Sequence, residues 1–103
     1  MAAAPEILAE GQLANTKGTL FTATGQTIIR LIAVSHVAGG TQSVVLYVKK
    51  GASTSRVIAR ATLLTDEFGE EDQIITLDTG DLIEGETTDA ASVDYLIMGV
   101  KIA

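Results

Sequence analysis

The chain has 103 residues, seven basic and thirteen acidic, giving a formal charge of -6 at neutral pH; 47% of it is hydrophobic, with two Phe, two Tyr, no Trp and no Cys. That length makes one domain, which buries on the order of two thirds of its unfolded surface and folds without staples. The missing thiols exclude disulfides, thiolate metal sites and Cys nucleophiles, the acidic balance opposes nucleic acid and anionic lipid, and no apolar run reaches membrane-helix length.

Residues 1–12 are expected to form an arm that can supply a first strand, and residues 13–103 a single domain. The start, Met1-Ala-Ala-Ala-Pro5-Glu6, lacks a basic segment followed by an apolar core, so no signal peptide is expected and the protein is expected to be made and used in a cytosol. Pro5 has no N–H to give a sheet, and the arm, with Pro5, Ile7 and Leu8 as its contact residues, is expected to gain order against a neighbouring chain.

Eight extended segments follow at the even spacing of sandwiches and barrels: 7–13, 19–24, 26–37, 42–50, 56–63, 73–77, 81–84 and 92–102. Glycines at 18, 25, 39, 40, 51, 69, 80 and 85 punctuate them as turn residues. The clearest alternation runs from Thr27 to Lys49, broken at Gly39-Gly40, and predicts a long antiparallel hairpin. It places Ile29, Leu31 and Ala33 on one face and Ile28, Arg30, Ile32, Val34 and His36 on the other. In the last segment Leu96, Met98, Val100 and Ile102 share a face, so Leu46 and Leu96 are the expected mid-strand core residues. The short pair around Asp78-Thr79-Gly80 fits the corner of a jelly roll as well as an immunoglobulin-like arrangement. The fold class is all-β, an antiparallel β-sandwich, jelly-roll-like, of about eight strands.

Catalytic equipment is sparse. His36 is the lone histidine, and Ser35 beside it points to the opposite face of a regular strand, so the two cannot act as nucleophile and base. Asp66, Glu67, Glu70, Glu71 and Asp72 are the one metal candidate, since five carboxylates in seven residues offer hard oxygen ligands; without EF-hand spacing they are expected to form a solvated loop. Asp78, Asp81, Glu84, Glu86 and Asp89 form a second acidic set, but glycosidase chemistry needs two acids at fixed separation in an aromatic-lined cleft. Phosphate loops fail because the stretch from Gly18 to Gly25 lacks a Walker lysine and a following helix. With so few rings, Tyr47 and Tyr95 are expected at the core or its margin rather than as sugar-stacking platforms. No enzyme activity, cofactor, nucleic acid or membrane is expected.

The order of motifs resembles a recurrent small β-sandwich of tailed-bacteriophage virions. Gly18-Thr19-Leu20-Phe21-Thr22-Ala23, Gly25-Gln26-Thr27-Ile28-Ile29-Arg30-Leu31-Ile32, Ser43-Val44-Val45-Leu46-Tyr47-Val48 and the late Gly80-Asp81-Leu82-Ile83 succeed one another as in that group. Thr22-Ala23-Thr24 stands where its commoner pattern has Val-Pro. The resemblance spans roughly residues 13–102 and implies a non-enzymatic virion component, a capsid decoration or cement protein on a major capsid shell. It implies a symmetric homo-oligomer, a trimer before a monomeric decoration, assembled in the bacterial host cytoplasm. The alternative is a tail-tip, baseplate or head-fibre module that contacts a host surface or ligand through its loops, but those loops lack the Trp, Tyr and Arg anchors of binding hot spots.

Overall fold

The computed structural model describes residues 6–37 and 40–102. It holds nine strands: β1 (Glu6–Gln12), β2 (Gly18–Thr22), β3 (Thr27–His36), β4 (Gln42–Lys49), β5 (Arg56–Leu63), β6 (Phe68–Glu71), β7 (Ile75–Leu77), β8 (Leu82–Glu86) and β9 (Val93–Lys101). One sheet runs β1-β9-β3-β6, with β7 also on β3, and the other runs β2-β8-β4-β5. Because β6 pairs with Ile32 to Ser35 and β7 with Thr27 to Ile29, the two lie end to end along β3 as one interrupted edge. The eight strand positions therefore fill two four-stranded layers in the order of a jelly roll, with the chain changing layer at every connection between them except β4–β5.

Among the described residues, only β4 and β5 are joined as a hairpin within one sheet. The expected hairpin of Thr27 to Lys49 is corrected: β3 and β4 are both strands, but the connection after His36 carries the chain to the opposite layer. A period of two marks a strand and its faces, not the sheet it joins. The Asp78-Thr79-Gly80 turn likewise crosses between layers. Gly40, Gly51 and Gly80 take positive φ, as the expected turn glycines should, whereas Gly18, Gly69 and Gly85 lie within strands and Gly39 falls outside the described residues.

The core is aliphatic. Ile29, Ile32 and Val34 of β3, Val44 and Leu46 of β4, Ile83 of β8 and Val93 and Ile97 of β9 close on one another between the layers. Bulges enlarge it at the rims: β1, β2 and β5 each carry one extra residue, and those residues, Leu8, Leu20 and Ile58, all pack on the core. On β3 the extra residue is Arg30, which is exposed.

That bulge resets the phase of β3. Ile29, Ile32, Val34 and His36 are buried, whereas Leu31, Ala33 and Ser35 lie on the outer side with Ile28; the expected grouping of Ile29 with Leu31 and Ala33 fails at Arg30. The phase of β9 is also corrected. Ile97 is fully buried, while Leu96 is only partly so and pairs with Ala33 on the outer side. Leu46, at 3% exposure, holds the core position expected of it.

The arm supplies a first strand: Ile7 and Leu8 are residues of β1, which pairs with β9 from Glu6↔Gly99 to Gln12↔Asp94. Pro5 lies outside the described residues. Gly11 faces Tyr95, whose ring comes within 3.3 Å of where a Cβ would stand, and the tyrosine covers the gap that the glycine leaves.

Candidate assembly surface

Ser35 is exposed and His36 is 2% exposed, on opposite sides of β3. The imidazole Nε2 contacts the carbonyl of Gly40, tying the strand to the turn that follows it.

The acidic stretch is a turn and a strand rather than one loop. Asp66 takes a left-handed φ of 66°, the Glu67 carboxylate accepts from the Leu64 N–H at 2.6 Å, and β6 begins at Phe68. Along β6, successive side chains alternate in direction: Glu70 sits opposite outward-facing Ala33 and Glu71 opposite buried Ile32. Glu71 accepts from the Gln73 N–H at 3.2 Å, and Asp72 follows beyond the strand end. The five carboxylates fan out, and among the described residues no group of three or more His, Cys, Asp or Glu is placed to hold a metal ion.

The second acidic set is structural. Asp81, 6% exposed, accepts from the Asp78 N–H at 2.9 Å and the Gly51 N–H at 2.8 Å, and pairs with Lys50 at 3.2 Å. It thereby fastens the β4–β5 hairpin to the β7–β8 corner. The Asp78 N–H, helped by Lys50 and Gly51, holds this carboxyl below the usual carboxylate range although burial opposes it. A depressed carboxyl stabilises the fold above its unfolded value and loses that contribution as the pH falls through the lower folded value. Asp81→Ala is accordingly expected to cost about 1–3 kcal/mol near neutrality, the range for orphaned buried donors. In urea titrations the gap from wild type should close as the pH drops below the unperturbed value of 3.8; a gap unchanged at acid pH would refute the assignment.

Glu84 accepts from the Ser55 hydroxyl, and Glu86 accepts from the Tyr47 hydroxyl at 2.5 Å, which with burial pushes the phenol above its ordinary value. Lys17 lies 5.0 Å from the Tyr47 ring centroid. At the opposite end of β4, buried Gln42 donates to Asp89 at 2.9 Å and accepts from Thr87 at 3.0 Å and the Asp89 N–H at 2.8 Å. Gln42 is in the buried phase of β4 with Val44 and Leu46, whereas Ser43 and Tyr47 alternate with them and align with Thr62 and Glu84 across the ladders, so with Arg60 and Glu86 they make the outer side of the β2-β8-β4-β5 sheet largely polar.

The outer side of the other sheet is apolar. The registers align Ile28 with Val100, Leu31 with Met98 and Ala33 with Leu96 across β3 and β9, and Ile7 of β1 with Met98. These side chains are half-buried by one another, with Ile7 54% exposed at the margin and Phe68 71% exposed at the far corner. Charge is distributed unevenly along the strands. At the Leu96–Ala33 end, Glu10 and Asp94 line an open groove of about 730 Å³ together with Phe68 and Gln12, and Glu70 lies opposite Ala33 on the neighbouring strand. Arg30 stands nearer the other end; since β3 has neighbours on both sides, an exposed side chain there projects from the outer side. Sequence reasoning missed this surface, although β3 and β9 are apolar in both phases, the mark of a strand covered on both sides.

No protein-family model matches the chain, and no curated protein matches it significantly. Solved structures share its fold, and two of them are informative. A pentameric capsid protein isolated from metagenomic phage sequences is 20% identical with a TM-score of 0.53; the match covers 92% of this chain and 60% of that one, so this chain spans about three fifths of that protein's length. A subunit of the Bacillus endospore appendages, described as disulfide-linked pili, is 14% identical with a TM-score of 0.53 over 97% of this chain and 88% of its own. The chain is thus similar in fold to subunits of two assemblies, one a phage capsid.

Proposed function

We propose that the chain is a non-enzymatic structural subunit of a bacteriophage particle, a decoration or cement protein that binds and stabilises the major capsid shell as a homo-oligomer. The observation that carries this reading is the apolar outer side of the β1-β9-β3-β6 sheet, a contact surface on a sandwich whose other side is polar. The fold shared with a phage capsid protein and the motif order shared with virion sandwiches support the same setting. A trimer is the order that the resemblance implies. The subunits fold in the host cytoplasm and leave it in the particle. The groove beside Phe68 favours, as a second reading, a ligand-contacting module of the tail tip, baseplate or head fibre.

The test uses particles of the phage that encodes the chain. The protein should be recovered with empty heads in regular stoichiometry, and heads lacking it should rebind it and gain heat resistance. Recovery only with tails would select the second reading, and absence from both fractions would overturn the virion role.

A further inference from the structure

Each edge of the sandwich is built against extension by another strand. β1, β2 and β5 carry bulges, and the fourth edge is broken between β6 and β7, where Glu71 to Ile75 spans one more residue than Ile29 to Ile32 beside it. Bulges and breaks interrupt the row of free N–H and C=O groups on which an incoming strand would pair. Edge-to-edge growth is therefore disfavoured, leaving the apolar outer side of the β1-β9-β3-β6 sheet as the surface suited to self-contact.

We infer that this surface packs against the same surface of a second copy, about a two-fold axis perpendicular to the strands. Charge selects that axis. Rotation about it lays β3 over β3 of the second copy with direction reversed, so the Arg30 end of one copy meets the acidic end of the other. The bulged Arg30 comes opposite a level between Ala33 and Val34 of the second copy, beside Glu70, which is the neighbour of Ala33 across the ladder, and symmetry makes the Arg30–Glu70 contact twice. Rotation about an axis along the strands would instead set the acidic end, with Glu10, Glu70 and Asp94, against itself. Within one copy neither Arg30 nor Glu70 has an ion-pair partner among the described residues.

The apolar centre supplies the attraction. Leu96 meets Met98 of the second copy and Leu31 meets Ala33. A face four strands wide and one strand long measures roughly 19 by 30 Å, on the order of 550 Å² per copy and about 1,100 Å² for the pair, just past the size at which specific association begins. The pair is a weak, reversible dimer. Its order of two stands in place of the trimer implied by the resemblance, and it forms without any particle, so failure to bind a capsid shell has no bearing on it.

Sedimentation velocity on the full chain, from micromolar to millimolar, tests this. Wild type should rise with concentration to twice the 10.7 kDa chain mass, and Met98→Asp should stay at one chain mass with its melting curve preserved. Arg30→Glu and Glu70→Arg should each weaken pairing by about tenfold or more, by setting like charges together twice, and the double exchange should return it to within about threefold of wild type. A wild-type monomer at every concentration, or an assembly of three or five chains, would overturn the inference. So would pairing that survives Met98→Asp, or a double exchange as weak as either single one; these charge exchanges lie at exposed positions and decide the matter even if Met98→Asp fails to fold.

Discussion

Ile97→Ala should destabilise the protein by about 2–5 kcal/mol, whereas Leu96→Ala beside it should cost less than about 1 kcal/mol. Ile97 is fully buried among the aliphatic side chains between the layers, so truncation leaves a cavity that neighbours on two rigid sheets fill only in part. Leu96 faces outward, and shortening it opens no internal void. Chemical denaturation of both variants gives the comparison directly. Equal losses would mean that β9 is set in the other phase, which would also remove Leu96, Met98 and Val100 from the outer surface.

Gly99→Ala is the other large effect, expected at about 3 kcal/mol, the upper end for overpacking, because the clash is with backbone. A Cβ at Gly99 would stand 2.2 Å from the carbonyl oxygen of Ile28 and 2.8 Å from the Leu8 side chain. The side chain could shift, but the Ile28 carbonyl belongs to the central β3–β9 ladder and cannot retreat without breaking it. Relief would have to come from separating two central strands. A melting temperature equal to wild type in the alanine variant would show that β3 and β9 are not this close.

Strand positions were legible in the sequence because alternation and turn residues act locally. Residues 56–63 form a strand with the expected boundaries, and seven other expected segments coincide with strands to within about two residues at most ends. What escaped depends on long-range pairing. Phe68-Gly69-Glu70-Glu71 has the look of a solvated loop, since glycine and glutamate are poor strand formers, and becomes β6 only because β3 offers an open edge. The phase of β9 was ambiguous because Leu96, Ile97, Met98 and Val100 are apolar on both faces. Asp94, two residues before Leu96, was the signal: a charged residue in that phase turns it outward. On β3, nothing local announced that Arg30 would be the bulged residue.

The arm shows the same limit. A Pro-punctuated, Ala-rich start suggested an arm with a possible first strand, but not which strand it joins, and β9 offers the edge to Ile7 and Leu8 within the same chain. Deleting Met1 to Glu10 would therefore strip a strand from the sheet and expose the side of β9. The outer surface, in turn, was hidden by the success of the alternation argument, which assigns one buried face to each strand and leaves no place for a strand apolar on both.

The threading of the chain between two layers also sets its timescale of folding. With β4 and β5 the lone hairpin held within a sheet among the described residues, every other ladder there joins strands separated by an intervening excursion to the opposite layer, and β1 finds its partner only when β9, about 80 residues later, is in place. Loop closure on that scale costs entropy before any contact repays it, so such topologies fold in milliseconds to seconds, far more slowly than helical bundles. During that interval the two-sided apolar strands β3 and β9 are uncovered together. The bulged and broken edges thus guard the chain while it is still incomplete, when an unpaired strand from a neighbouring copy is the competitor most easily captured.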